Sequence, residues 1–182
     1  FRKKCLGIQG AVTAIGMKIL ITDTNIFFDA IKIGALPEFF SLDYEISTTV
    51  FVIQEILPFQ QKELIDTFIR ARKLIVFDFS EEEIEAIQNF TVVKDLKRFT
   101  DKSVVWKAVQ LNCPMLTGDQ RMKEVGESLN IEVHGSIWII DELLIKTLIS
   151  RERGIHLLEQ LLLTNNRLPK HEIEKRINRL KD

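Results

Sequence analysis

The chain has 182 residues, 46% of them hydrophobic, so it can bury one substantial core but is too short for two ordinary domains and a linker. Its 25 basic and 26 acidic residues give a net charge of −1, which excludes a global attraction to a polyanion or a membrane surface. No apolar run approaches the ~20 residues that span a bilayer, and Cys5 and Cys113 lie far apart in sequence. We therefore expect a cytoplasmic protein with reduced thiols and no membrane partner.

Three parts of the chain are expected to differ in role. Residues 1–16 start with basic residues and continue with small apolar ones, but the apolar stretch is too short and glycine-interrupted to favour a secretory signal. We predict that residues 1–16 are an upstream or vector-encoded extension and that the native protein begins at Met17. Residues 17–148 are predicted to form the main domain, with residues 149–182 as a helical extension packed on it.

From Met17 onward, β-type apolar runs alternate with helical segments, which is typical of a parallel sheet covered by helices on both faces. Strands are predicted at residues 18–22, 44–47, 74–79, 115–117 and 131–133. The predicted helices cover residues 25–33, 48–57, 58–72, 81–89, 101–112, 120–129, 136–146, 155–163 and 170–180. The expected fold class is α/β, a three-layer α/β/α arrangement around a central, mostly parallel sheet, with additional C-terminal helices.

Several helix starts carry capping signals. Thr48 or Thr49 can cap the second helix, and Thr100 can cap the helix that contains Asp101. Ser80 and Glu83 have the spacing of a capping box. These residues fix the expected helix boundaries.

Four acidic residues have routes to one edge of the predicted sheet. Asp23 ends the first strand, Asp119 follows the strand at 115–117, Glu55 lies in the helix after the second strand, and Asp101 lies in the first turn of a helix. Ligands bind at the carboxyl ends of parallel strands, where such residues converge. Each acid alone also has a structural explanation, as a helix cap, a first-turn charge or a solvated helix residue. Only the set indicates a functional site.

Four strings in this order resemble the PIN-domain nucleases: ILITDTNIFFDA, TTVFVIQEI, DKSVVWKAVQLNCPMLTGDQRM and IEVHGSIWIIDEL. The resemblance covers about residues 17–145, and the last string is similar to the VapC-like toxin branch. It implies a catalytic and metal-binding cluster of Asp23, Glu55, Asp101 and Asp119, with Asn25 and Thr117 as supporting residues. Asp95 is an alternative for the third acid, although Asp101 is preferred because it lies seven residues before Ala108.

Clustered carboxylates repel one another, and a divalent cation offsets that repulsion. Ligation by oxygen without histidine or thiolate favours Mg²⁺ or Mn²⁺. Such an ion can activate water toward a phosphodiester, and the resemblance implies 5′-phosphate and 3′-hydroxyl products. RNA is the expected substrate, and Lys97, Arg98, Lys102 and Arg121 are candidates to bind it, although each is as easily a solvated surface residue.

The leading hypothesis is therefore an Mg²⁺- or Mn²⁺-dependent endoribonuclease, which the resemblance suggests is the toxin of a toxin–antitoxin pair with an antitoxin protein as partner. The leucine-rich stretch after Ile155 is compatible with a homodimer or with packing inside one chain. An alternative is a catalytically silent PIN-like module that binds RNA or protein. A phosphotransferase with an aspartyl intermediate is disfavoured, because Asn25 stands where such enzymes generally have a second acid.

Overall fold

The structure, a computed structural model, describes residues 18–56, 59–91 and 96–182. Three predictions lie outside the described residues: the extension at residues 1–16 with its start at Met17, the helix start at Pro58, and the alternative acid Asp95.

The core of the fold is a parallel sheet built from five short strands in the described part of the chain. These are β1 (Lys18–Thr22), β2 (Tyr44–Thr49), β3 (Ile75–Phe77), β4 (Met115–Leu116) and β5 (Val133–His134). They are arranged in the order β3-β2-β1-β4-β5, and every neighbouring pair is parallel. The predicted α/β fold class is therefore confirmed.

The strand order reverses between β1 and β4. From β1 the chain adds β2 and β3 on one side, and it then crosses back to add β4 and β5 on the other. Loops that leave the carboxyl ends of β1 and β4 diverge at this point, which opens a crevice where α/β proteins bind ligands. Thr22 is in register with Leu116, so the segments that begin at Asp23 and Thr117 start side by side.

Helices cover both faces of the sheet and form a three-layer arrangement. The helices are α1 (Thr24–Lys32), α2 (Leu36–Phe39), α3 (Val50–Glu55), α4 (Phe59–Arg70), α5 (Glu81–Gln88), α6 (Phe99–Leu111), α7 (Gln120–Ser128), α8 (Ser136–Ile145), α9 (Arg151–Thr164) and α10 (Lys170–Lys181). Helix α6 packs against β1, β2 and β4, whereas α8 packs with α1, α2 and α9.

The helix caps agree in part with the sequence signals. Thr49 caps α3 by accepting a hydrogen bond from the Val52 N–H, and Ser80 with Glu83 forms the expected capping box. The prediction for Thr100 is wrong, because α6 begins at Phe99 and Thr100 lies buried within its first turn. There the Thr100 carbonyl accepts a hydrogen bond from Ser103.

Other boundaries also differ from prediction. The last strand covers residues 133–134 rather than 131–133, and β3 is shorter than the apolar run at 74–79. Helix α9 begins at Arg151, four residues before the predicted start, because Ser150 caps it by accepting from the Arg153 N–H. Helix α2 was not predicted, since four residues are too few for a helical period to be visible.

The C-terminal helices share a second apolar cluster with the α/β core. Buried residues of α9 and α10 pack against α8 and the α1–α2 connection: Ile33, Ala35, Ile140, Leu157, Leu158, Leu161, Ile173 and Ile177. Within the described ranges, no helix has the length and apolar character that crossing a bilayer requires.

Candidate active site

Asp23 is the buried centre of the crevice, with 2% of its surface exposed. It caps α1, because its Oδ1 accepts the Thr24 N–H at 2.6 Å. Its Oδ2 accepts the side chains of Asn25 and Thr117, both at 3.1 Å. Burial raises the pKa of Asp23, and these hydrogen bonds to the carboxylate oppose the rise. The carboxylate therefore has a fixed orientation between β1 and β4.

Glu55 reaches the same place from the last turn of α3. Its Oε2 accepts the hydroxyl of Thr24 at 3.1 Å, and its Oε1 forms an ion pair with Arg98 at 2.6 Å. Thr24 thus contacts both Asp23 and Glu55, a role that the sequence analysis missed. A hydroxyl residue directly after the first acid is the only sequence signal for it, and that signal is indistinguishable from an ordinary first-turn threonine.

Asp119 is tied to Asp23 through Thr117. The Thr117 hydroxyl donates to Asp23 and accepts the N–H of Asp119 at 3.1 Å. Asp119 also caps α7, with Oδ1 accepting from the N–H groups of Arg121 and Met122. Capping occupies one oxygen, and Oδ2 has no hydrogen bond to any of the described residues. Asp119 can therefore cap α7 with one oxygen and still offer the other to a ligand.

Asp101 occupies the first turn of α6. Burial and, to a smaller extent, the negative charges of Asp23, Asp119 and Glu55 raise its pKa from 3.8 to about 6, while the positive charge of Arg98 opposes the rise. Four carboxylates from four separate segments therefore share one electrostatic environment. The side chains of Ser103 and Thr49, 3.0 Å apart, join α6 to the start of α3 and so fix the position of Asp101.

The carboxylates do not form a ready-made metal cage. Among residues 18–56, 59–91 and 96–182, no three Asp, Glu, His or Cys side chains converge closely enough to hold an ion. Both oxygens of Glu55 and both of Asp23 are already engaged by donors of the chain. The donor set nevertheless fits a hard cation chemically, because it is all oxygen and carries surplus negative charge.

Of the four basic residues predicted near the site, Arg98 contacts an acid of the cluster. Lys97 and Arg121 are exposed and Lys102 is half-buried, and none of the three pairs with a carboxylate among the described residues. Lys107, one turn and a half beyond Asp101, is instead buried against Phe77, Phe79 and Trp106 and bonded to Glu83. It therefore belongs to the core of that helix layer.

Comparison with known families agrees with this arrangement. The model of a family described as a PIN domain, DUF3368, matches residues 19–182, which include β1 except for its first residue, the other four strands and the C-terminal helices. A search of curated proteins found no significant match. The match contains the segments of Asp23, Glu55, Asp101 and Asp119 together with the helices that follow them, and it covers most of the chain. This chain belongs to the PIN-domain family.

Proposed function

We propose that the protein is an endoribonuclease that depends on Mg²⁺ or Mn²⁺ and uses Asp23, Glu55, Asp101 and Asp119 as its acidic centre. PIN domains are generally nucleases and typically use divalent metal ions. The single observation that supports the proposal best is the negative electrostatic environment of Asp101, whose pKa is raised to about 6 by burial first and then by the charges of the other three acids. A folded protein tolerates such repulsion when a cation neutralises it in the working state.

The acidic residues would hold the metal ion, and their hydrogen-bonding neighbours would keep them oriented. Asp23 and Asp119 would be direct ligands, since Thr117 joins them, and Glu55 and Asp101 would complete the set directly or through water. Asn25, Thr117 and Thr24 would keep the carboxylates oriented by the hydrogen bonds that they already make. When bound, the ion would polarise the phosphodiester and lower the pKa of the attacking water.

A cleavage assay tests the proposal. Wild-type protein and Asp23→Asn are incubated with an end-labelled single-stranded RNA in Mn²⁺ or in EDTA. We expect internal cleavage in Mn²⁺ alone, and a rate at least about 100-fold lower for the variant, the scale of losing a transition-state contact. Asp43→Asn, which removes an exposed carboxylate elsewhere, should cleave at the wild-type rate. Cleavage by Asp23→Asn at the wild-type rate would refute the site.

The second candidate is a silent PIN module that binds RNA without cutting it. It is favoured by one observation, the ion pair at 2.6 Å by which Arg98 occupies Glu55 where a metal would be expected. Wild-type protein that binds the RNA but leaves it intact in Mn²⁺ would support this candidate over the first.

The toxin role is a finer proposal that rests on the resemblance of residues 131–143 to the VapC-like branch. We expect expression of the wild type to arrest bacterial growth and expression of Asp23→Asn to leave growth unchanged. Purification of the wild type with a co-expressed neighbour that restores growth would identify the antitoxin. Equal growth with both proteins at equal levels would argue against a toxin.

A further inference from the structure

A groove lined by polar and apolar residues runs from the acidic site onto the C-terminal helices. It consists of two adjoining depressions of about 380 and 420 Å³, which is the size range of ligand pockets. The first is lined by Thr117 and Asp119, and the second by Asn25. Gly118 and Arg167 line both, so the groove crosses the mouth of the acidic site between these two residues.

Arg167 comes from the connection between α9 and α10 and is exposed. Among the described residues, its side chain has no carboxylate partner. Two other arginines of the C-terminal helices are held in ion pairs, Arg153 by Glu38 at 2.6 Å and Arg176 by Asp141 at 2.9 Å. Arg167 therefore presents a positive charge at the mouth of a strongly negative site.

The connection that carries Arg167 is anchored to α1. The side-chain amide of Asn165 donates to both oxygens of Asp29, at 3.0 and 2.9 Å, and its oxygen accepts the N–H of Arg167 at 3.1 Å. Asp29 is 5% exposed and also accepts the hydroxyl of Ser136. Because α1 begins directly after Asp23, these hydrogen bonds fix the backbone of Arg167 relative to the acidic cluster.

Further features of the groove suit a single-stranded polyanion. Lys123 and Arg176 line the first depression and Lys32 the second, so four basic residues including Arg167 line the groove. The charge of Arg176 is offset there by its ion pairs with Asp141 and Glu172. The rings of His134 and Trp138 are stacked at 4.1 Å and form an aromatic wall of the first depression. Unpaired bases stack on surfaces of this kind, while cations bind the phosphates.

We propose that Arg167 binds a backbone phosphate of single-stranded RNA next to the bond that is cut, and that Asn165 positions it by holding Asp29. This proposal rests on the proposed function. The acidic cluster repels a polyanion and the net charge of −1 gives no general attraction, so a cation fixed at the rim supplies the local attraction that binding requires.

The test measures RNA binding without cleavage. Fluorescence anisotropy of a labelled single-stranded RNA is followed in EDTA at several KCl concentrations for the wild type, Arg167→Ala, Arg167→Lys and Arg179→Ala. Arg179 is the matched control, an exposed arginine of α10 that lines neither depression of the groove but a neighbouring one, beside Leu180. We expect Arg167→Ala to weaken binding about fivefold and to lower the salt slope by about 0.7, the value of one phosphate contact on a single strand.

The remaining variants separate a binding role from a structural one. Arg167→Lys should keep the wild-type salt slope, because it keeps the charge. Asn165→Ala should weaken binding in the same direction as Arg167→Ala at an unchanged slope, since Arg167 is present but no longer held. Equal RNA affinities of Arg167→Ala and Arg179→Ala would overturn the inference about Arg167. If the wild type also cleaves RNA in Mn²⁺, the proposed function would stand. Wild-type protein that binds no RNA would overturn both this inference and RNA as the substrate.

Discussion

At the scale of single residues, the site is a set of carboxylates that the chain itself partly neutralises. Asp23 and Asp119 each cap a helix with one oxygen and share Thr117 as an intermediary. Strand ends and helix starts are visible in the sequence, so the places of these two acids could be predicted. The hydrogen bond from Thr24 and the ion pair with Arg98 could not be predicted, because they depend on how α3 packs against α1 and against α6.

Asp101→Asn is expected to stabilise the metal-free protein at neutral pH while abolishing cleavage. A pKa raised from 3.8 to about 6 means that the folded state loses stability as the pH rises through this window. Removing the charge should therefore raise the free energy of unfolding by about 1 kcal/mol at pH 7, a value reduced for solvent screening. Thermal melts in EDTA measure the gain, which should be smaller at pH 5, where wild-type Asp101 is mostly protonated.

Asp43→Asn serves as the control for that measurement, because Asp43 is exposed and lies outside the cluster. A loss of stability in Asp101→Asn at pH 7 would mean that the carboxylate is favourably paired instead of repelled.

Arg98→Gln is expected to tighten Mn²⁺ binding. The guanidinium lies 2.6 Å from Glu55 and competes with a cation for that oxygen, and an exposed pair of this kind is worth up to about 1 kcal/mol, or roughly fivefold in affinity. Isothermal titration calorimetry measures the change. Lys102→Gln removes the same charge four residues further on, in the first turn of α6, where the described residues offer no ion pair to break. An equal effect of both variants would show that the ion pair itself is irrelevant.

At the scale of secondary-structure elements, long periodic segments could be predicted and short ones could not. The capping box of Ser80 and Glu83 fixed α5, whereas α2 and the two-residue strands β4 and β5 are too short for their boundaries to be visible. Helix α6 shows a further reason. It is buried along most of its first ten residues, so it has little amphipathic contrast, and its true start at Phe99 is hidden behind a conventional capping signal at Thr100.

The packing of α9 can be tested by two leucines on the same helix. Leu161 is fully buried in the second apolar cluster, whereas Leu163 is 75% exposed. We expect Leu161→Ala to lower the free energy of unfolding by about 2–4 kcal/mol, the usual cost of a cavity in a packed core. Leu163→Ala should change it by less than about 0.5 kcal/mol. Urea denaturation measures both values, and equal effects would mean that α9 does not dock as described.

At the scale of the whole molecule, the strand order explains why distant residues meet. The reversal between β1 and β4 brings Asp23 beside Thr117, and β2, the parallel neighbour of β1 on the other side, leads directly into α3 and so delivers Glu55. Alternation of strands and helices predicted a parallel sheet, but it does not determine the order of the strands. The convergence of four acids spread over nearly a hundred positions of the chain therefore required either the resemblance or the structure.

The C-terminal helices also have a role at this scale. Leu157, Leu158 and Leu161 are buried within the chain, so the leucine-rich stretch is largely used in intramolecular packing. A homodimer remains a prediction, and light scattering of the purified protein at several concentrations tests it. Packing of α9 against α1 also brings the Asn165 side chain into a hydrogen bond with Asp29. The C-terminal extension is thereby connected to α1, the helix that Asp23 caps.

The most direct test of the account is Mn²⁺ binding followed by electron paramagnetic resonance, with a single-stranded DNA analogue present to supply phosphate oxygens without being an RNA substrate. We expect the wild type to bind Mn²⁺ at sub-millimolar concentrations and Asp23→Asn and Asp119→Asn to lose at least about tenfold in affinity, the scale seen when a site around a metal is perturbed. Asp43→Asn should bind as the wild type does. Undiminished Mn²⁺ binding by both Asp23→Asn and Asp119→Asn would contradict the claim that these carboxylates hold the catalytic ion.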